Sequence, residues 1–268
     1  MAWKLAANIS LLFTEVALLE RVGAAARAGF DGVEIQFPYA VPARELRDEL
    51  QHQEMPLVLF NLPAGDLLQG GPGLAGVPGG EAEFAAALQL ALEYAQILQP
   101  TRVNVLPGRL VASWQREQAL QTLESNLALA ADAFAELGIG VVCEAINRLD
   151  MPDFLLAGSA ELAATLARIE HPNLSAQLDF YHMAQMGEAL PESIQRLAGR
   201  IGHVQFADQP GRGMPGSGQM DYSAALAALA ATGYNGWLAA EYRTSSANDF
   251  AWMQRWRASG WIAERRAV

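Results

Sequence analysis

Eight short apolar runs, each followed by a longer stretch of helical periodicity, constrain this chain more than any other feature. The runs are Lys4–Asn8, Gly32–Gln36, Leu57–Asn61, Arg102–Leu106, Gly140–Glu144, Leu174–Asp179, Ile201–Phe206 and Gly236–Glu241. Between them, stretches such as "SWQREQALQTLESNLALAADAFAELG" place Leu120, Leu123, Leu127, Ala130 and Phe134 on one helical face, and Gly138 stops the helix before the next strand. Strand-then-helix alternation demands parallel strands joined by right-handed crossovers. Eight such units in 268 residues predict a single α/β domain over 1–268, a (β/α)₈ TIM barrel, in preference to an open doubly wound sheet.

The strand ends carry the functional signal. The predicted strands finish on Asn8, Glu34 or Gln36, Asn61, Asn104, Glu144, Asp179, Gln205 and Glu241. In this fold the C-terminal rim of the barrel is where active sites are built. Side chains alternate along a strand, so Val142 with Glu144, Gln177 with Asp179, and His203 with Gln205 each share a face. Polar groups on inward faces at one mouth converge.

Glu144, Asp179, Gln205 and Glu241 come from the last four strands. Three carboxylates brought together repel and raise one another's pKa, and a divalent cation relieves this. An all-oxygen set of three carboxylates and one amide suits Mg²⁺ or Mn²⁺ better than zinc. The plainer reading, in which each acid pairs with a basic side chain or caps the next helix, is disfavoured because no Arg or Lys occupies a matching strand tip in this half of the chain. A cation gripping an α-hydroxycarbonyl, with a glutamate on each side to remove and return a proton, predicts aldose–ketose isomerisation or sugar epimerisation.

Bulk properties narrow the partners. Apolar residues make up 51% of the chain, and no apolar run approaches the ~20 residues needed to cross a bilayer. A net charge of −11 offers no general attraction to nucleic acid or anionic lipid, so a small-molecule substrate is expected. The opening "MAWKLAANIS" enters a strand without a signal-peptide pattern, and the single Cys143 forms no internal disulfide; both predict a cytoplasmic protein.

Other residues read more modestly. His182, just past the sixth strand, favours substrate contact; His203, one layer below Gln205, reads as a hydrogen-bonded core histidine. Asn8 and Asn61 are rim amides, fit either for a polar substrate or for capping, and Glu34 is poised between orienting a catalytic group and accepting a hydrogen bond. Cys143 faces the helical layer as an inert thiol. Gly71–Gly76 matches G-x-G-x-x-G, but "VPGG" follows where a nucleotide site would need a helix start. That glycine-rich stretch after the third strand, and a second one carrying Arg212 after the seventh, read as flexible loops able to cover the mouth. Trp256 and Trp261 near the C-terminus predict packing against the barrel or, if exposed, a homo-oligomer contact.

The blocks "AANISLLFTEV", "AGFDGVEIQFPY", "NLPAGD", "VCEAINRLDMP", "QLDFYHM", "IGHVQFAD" and "GYNGWLAAEY" resemble hydroxypyruvate isomerase, within the xylose isomerase-like barrel superfamily, from about Ala6 to Trp256. The resemblance implies Glu144 and Glu241 as the acid/base pair and as metal ligands, with Asp179 and Gln205 completing the metal shell. By likeness to ketose epimerases it implies His182 and Arg212 on substrate oxygens, and Arg212 is a reasonable partner for a substrate carboxylate. The same blocks resemble the sister family, 2-oxo-tetronate isomerase: "LLFTEV" and "LFN" look more like the sister, "NLPAGD" and "EAINRLDMP" more like hydroxypyruvate isomerase. Phe60 stands where the latter is expected to carry His, which opens the choice of substrate. The implied substrate is hydroxypyruvate interconverting with 2-hydroxy-3-oxopropanoate, with 2-oxo-tetronate or a ketose as alternatives. A barrel nuclease or a non-catalytic binding barrel are the rivals from other classes.

Overall fold

The eight runs form eight parallel strands: β1 Lys4–Asn8, β2 Gly32–Ile35, β3 Leu57–Asn61, β4 Arg102–Val105, β5 Gly140–Glu144, β6 Leu174–Asp179, β7 Ile201–Phe206 and β8 Trp237–Ala240. Each pairs with its sequence neighbour, and β8 returns to β1 with Leu5 opposite Leu238, closing the barrel. The computed structural model describes residues 2–243 and 250–264. Strand ends agree with the sequence reading to within a residue at β2, β4 and β8, where the ladder stops one residue short, before Gln36, Leu106 and Glu241.

Strand alternation sorts the core into layers. In β5, Val141 and Cys143 pack toward the helices, whereas Val142 joins Ala6, Val58, Leu59 and Ala239 inside the barrel. This small apolar plug supports the polar groups of the mouth above it. Higher still, Leu67, Leu106, Ile146 and Phe154 form an apolar wall on one side of the opening. Burial pushes the Cys143 thiol far above its ordinary range, as an inert position requires.

Both glycine-rich segments are more tightly held than the sequence suggested. In the first, Leu67 is buried, the Asp66 carboxylate accepts the Gly73 N–H at 3.1 Å, and the Gly71 N–H donates to the Asp66 carbonyl at 3.0 Å. A buried anchor and a turn closed on a carboxylate tie this segment to the rim of the barrel. The second segment is cinched by Asp208, which accepts from Gly216 N–H at 2.7 Å and from Met220 N–H at 3.1 Å. Gly218 lets this loop close, because a Cβ there would collide with the Gln209 carbonyl oxygen. Since the loop carries Arg212 into the mouth, Gly218→Ala is expected to lower kcat/KM by about 10- to 100-fold through displaced geometry. Circular dichroism should show the barrel intact while steady-state kinetics read the loss.

The C-terminal tryptophans serve packing. Trp252 and Trp256 nest against Phe206 and Tyr222, and Trp261 stacks on Trp3 with centroids 6.0 Å apart. No helix among the described residues is long and apolar enough to cross a membrane.

Candidate active site

A cavity of about 250 Å³ opens at the C-terminal ends of the strands, lined by Glu144, Glu241, Gln205, His182, Arg212, Asn8 and Asn61 among others. Asp179 lies directly beneath, fully buried beside Glu144 and His182. All eight residues singled out in the sequence therefore gather in one place.

The three carboxylates share a common construction. Each has one oxygen held by the scaffold and the other turned toward the shared space. Glu144 Oε2 accepts from Asn104 Nδ2 at 3.1 Å and from Gln177 Nε2 at 2.8 Å, while Oε1 faces His182 Nε2 at 3.8 Å. Glu241 Oε1 accepts from Gln36 Nε2 at 2.7 Å and Asn8 Nδ2 at 3.1 Å, while Oε2 meets Arg212 at 3.0 Å. Asp179 Oδ1 caps the helix Phe180–Gln185 by accepting the Tyr181 N–H at 2.8 Å. Its Oδ2 is buried without a hydrogen-bond partner. Such an orphan acceptor costs free energy unless something occupies it.

Arg212 corrects one expectation. The strand tips themselves hold no basic residue, but the loop after β7 delivers this guanidinium among the acids, 3.0 Å from Glu241 and 3.7 Å from Asp179. Asp179 likewise caps a helix, so the plainer roles discounted from sequence are present alongside the convergence. The reason is reach: pairing was judged from strand ends, whereas Arg212 arrives from six residues beyond β7 with a left-handed backbone (φ 54°).

The electrostatics reflect this crowding. Burial first, then Glu241 and Asp179, pushes the Glu144 carboxyl well above the ordinary range. Burial and Glu241 raise Asp179 to about 7, against the opposing pull of Arg212. Glu241 is also raised by burial, with Arg212 opposing. Burial works against the charge on Arg212, yet Glu241, Asp179 and Glu144 outweigh it and hold the guanidinium ionised. Burial, reinforced by Arg212, lowers His182 well below its usual value.

Beneath the site a second polar layer orients these groups. Glu34 accepts from Asn8 at 3.0 Å, from Gln205 Nε2 at 2.6 Å, and contacts His203 Nε2 at 2.7 Å. His203 is thus the hydrogen-bonded core histidine that the sequence suggested, and Glu34 is an orienting acceptor. Gln205 receives Gln177 Nε2 on its carbonyl oxygen at 2.6 Å, which leaves that oxygen one further lone pair. Asn61 accepts from Asn104 Nδ2 at 3.2 Å.

Sequence reasoning omitted Gln177, Asn104, Gln36, Asn147 and Arg243 from the site. Three of them had a signal: Gln177 sits two residues before Asp179 on the inward face, and Asn104 and Gln36 were strand-end amides. Asn147 and Arg243 lie in irregular segments just past β5 and β8, with no periodicity to reveal them. Phe60 is the reverse case. Its ring packs outward against Tyr39, and its neighbours Leu59 and Asn61 line the cavity instead. The substitution that opened the substrate question does not touch the substrate space.

The orphan oxygen of Asp179, the elevated carboxyl groups and the oxygen-rich donors fit a divalent cation. Glu144, Asp179 and His182 each offer a ligand atom within 4.8 Å of the others.

The family profile described as xylose isomerase-like TIM barrel matches residues 22–264. The chain belongs to that family. Among its relatives, hydroxypyruvate isomerase of Escherichia coli (strain K12) is 37% identical over 95% of this chain and 99% of its own length. The 2-oxo-tetronate isomerase of Pectobacterium atrosepticum is 36% identical over 94% of this chain and 97% of its own. Within the xylose isomerase-like barrels the chain thus stands in the hydroxypyruvate isomerase and 2-oxo-tetronate isomerase group. A solved structure from Brucella melitensis, described as an AP endonuclease of family 2, superposes with a TM-score of 0.87 at 36% identity, covering 91% of this chain and 94% of the other.

Proposed function

We propose that this protein is a metal-assisted isomerase that interconverts hydroxypyruvate and 2-hydroxy-3-oxopropanoate. The observation that carries the proposal is the pair Glu144 and Glu241: each is clamped through one oxygen, and each keeps its other oxygen toward a shared cavity. A binding barrel has no use for two such acids whose carboxyls burial raises above the ordinary range.

Glu144, Asp179 and Glu241 would hold the cation, with Gln205 adding its remaining lone pair. When bound, a divalent cation offsets the negative charge that grows on the substrate oxygens as carbon loses its proton. One glutamate removes the proton from C3 and the other returns a proton to C2, while the hydroxyl hydrogen passes from O3 to O2. Burial raises the pKa of both carboxyls, which favours a protonated acid in one of the pair while the other accepts a proton. His182 and Arg212 face the same space and would hold substrate oxygens, with Asn8 and Asn61 orienting neighbouring groups. The substrate carboxylate falls to Arg243, because Arg212 is already committed to Glu241 and Asp179. Arg243→Ala is expected to raise KM about tenfold for acid substrates with kcat little changed. The same KM for both proteins would remove Arg243 from recognition.

A second substrate, 2-oxo-tetronate, is favoured by Leu11: it lies in the block that resembles the sister family and it lines the cavity. The nuclease description of the Brucella structure does not suit this chain, whose net charge of −11 repels a polyanion. A gel shift with abasic duplex would overturn that judgement. The principal test is a substrate panel on stripped and Mg²⁺- or Mn²⁺-reconstituted protein, with solvent deuterium incorporation followed by NMR. Metal-dependent exchange at C3 of hydroxypyruvate is expected, with deuterium delivered to C2 of the 2-hydroxy-3-oxopropanoate formed. Exchange and turnover that persist unchanged in chelator would end the metal-assisted reading.

A further inference from the structure

Asn147 lies three residues past Glu144, in the turn that follows β5. Its side-chain oxygen accepts the backbone N–H of Leu149 at 3.1 Å and of Asp150 at 2.8 Å. Main-chain N–H groups only donate, so this end of the amide is oxygen and the opposite end is NH₂. That NH₂ reaches Asp150 Oδ2 at 3.1 Å and His182 Nδ1 at 2.7 Å. Both partners must therefore accept. A doubly protonated ring would set one N–H against another, and a ring protonated on Nδ1 would do the same. Only the Nε2–H tautomer fits.

Nε2 stands in the cavity, 3.5 Å from Asp179 Oδ2 and 3.8 Å from Glu144 Oε1. A nitrogen that carries hydrogen has no lone pair for a cation. We propose that Asn147 is a positioning residue that locks His182 as the Nε2–H tautomer, which makes His182 a hydrogen-bond donor to a substrate oxygen and excludes it from the metal shell. The compact Glu144, Asp179 and His182 group is then divided by function. Two carboxylates face the cation and one N–H faces the substrate. The donor role rests on the isomerase reading above; the tautomer does not.

The test is the ¹⁵N spectrum of the histidine rings in the full chain loaded with diamagnetic Mg²⁺, with His182→Gln identifying the resonances. The expected pattern is an unprotonated Nδ1 and a protonated Nε2. A protonated Nδ1 overturns the proposal and returns His182 to the candidate ligands, with the isomerase reading untouched. Conversely, an Nε2–H ring in a protein that turns over no acid of the panel sinks the isomerase reading and leaves the lock standing. The double variant Asn147→Asp with Asp150→Asn exchanges donor and acceptor within the turn while keeping their hydrogen bond. It is expected to move the proton to Nδ1 and to lower kcat by about 10- to 100-fold. An unchanged tautomer in this folded variant would also overturn the lock. The wild-type spectrum decides the matter even if the variant fails to fold.

Discussion

Glu144→Gln is expected to abolish measurable isomerisation, by about 10³-fold or more, while the protein stays as stable as the parent or gains stability. On the proposed function, the loss would follow from removing both a proton acceptor and a cation ligand. The retained stability follows from the surroundings. The glutamine carbonyl can accept the same hydrogen bonds from Asn104 and Gln177, and a neutral amide avoids the burial that raises the glutamate pKa. Its NH₂ would lie within 4.8 Å of the orphaned Asp179 side, where an acceptor awaits a donor. Kinetics together with thermal melts of stripped protein would check this. Substantial residual turnover would assign Glu144 a structural role.

The stripped protein should also show an inverted pH dependence. For a carboxyl whose folded pKa lies above its unfolded value near ~4, the folded state binds more protons in between, so stability falls as pH rises. For Asp179 that window closes at about 7, and Glu144 and Glu241 shift in the same direction. Stability contributed by Asp179 is therefore complete in acid and lost as pH rises through about 7, and Glu144 and Glu241 contribute with the same sign. Mg²⁺ or Mn²⁺ should restore it, and Glu144→Gln should flatten the slope.

Arg212→Met is expected to have the largest effect on stability. The guanidinium is the main charge compensating Glu241 and Asp179, and removing one partner of a buried pair strands the other. A cost of about 3 kcal/mol is expected for stripped protein at pH 8. It should be smaller at pH 6, where the stranded carboxyls can hold protons, and smaller again with divalent cation present. Urea melts at the two pH values, with and without Mn²⁺, would measure this. A loss indifferent to both pH and metal would mean that packing over Tyr181, 5.2 Å from the guanidinium, is what matters.

The resemblance to isomerases and the physical reading of the strand ends converge on the same acids for different reasons. Alternation alone directs Glu144 inward, since Val141 and Cys143 are drawn to the helices. It also directs Gln177 and Asn104 inward. The sequence reading placed Asn104 at a strand end and Gln177 on the inward face without a role, which their hydrogen bonds to Glu144 supply.

What the sequence determined by itself was everything that repeats locally: eight strands, their parallel order, and the inward acid or amide at each tip. Such features follow from a two-residue period along each strand and from helical crossovers that can only join parallel neighbours. Only the tertiary structure decided which oxygen of each carboxylate is clamped, that Arg212 enters from a loop, that Phe60 turns away, and that Asn147 presents NH₂ to His182. Those outcomes depend on contacts between residues as far apart as Gln36 and Glu241, 205 positions along the chain, and no local pattern encodes such a distance.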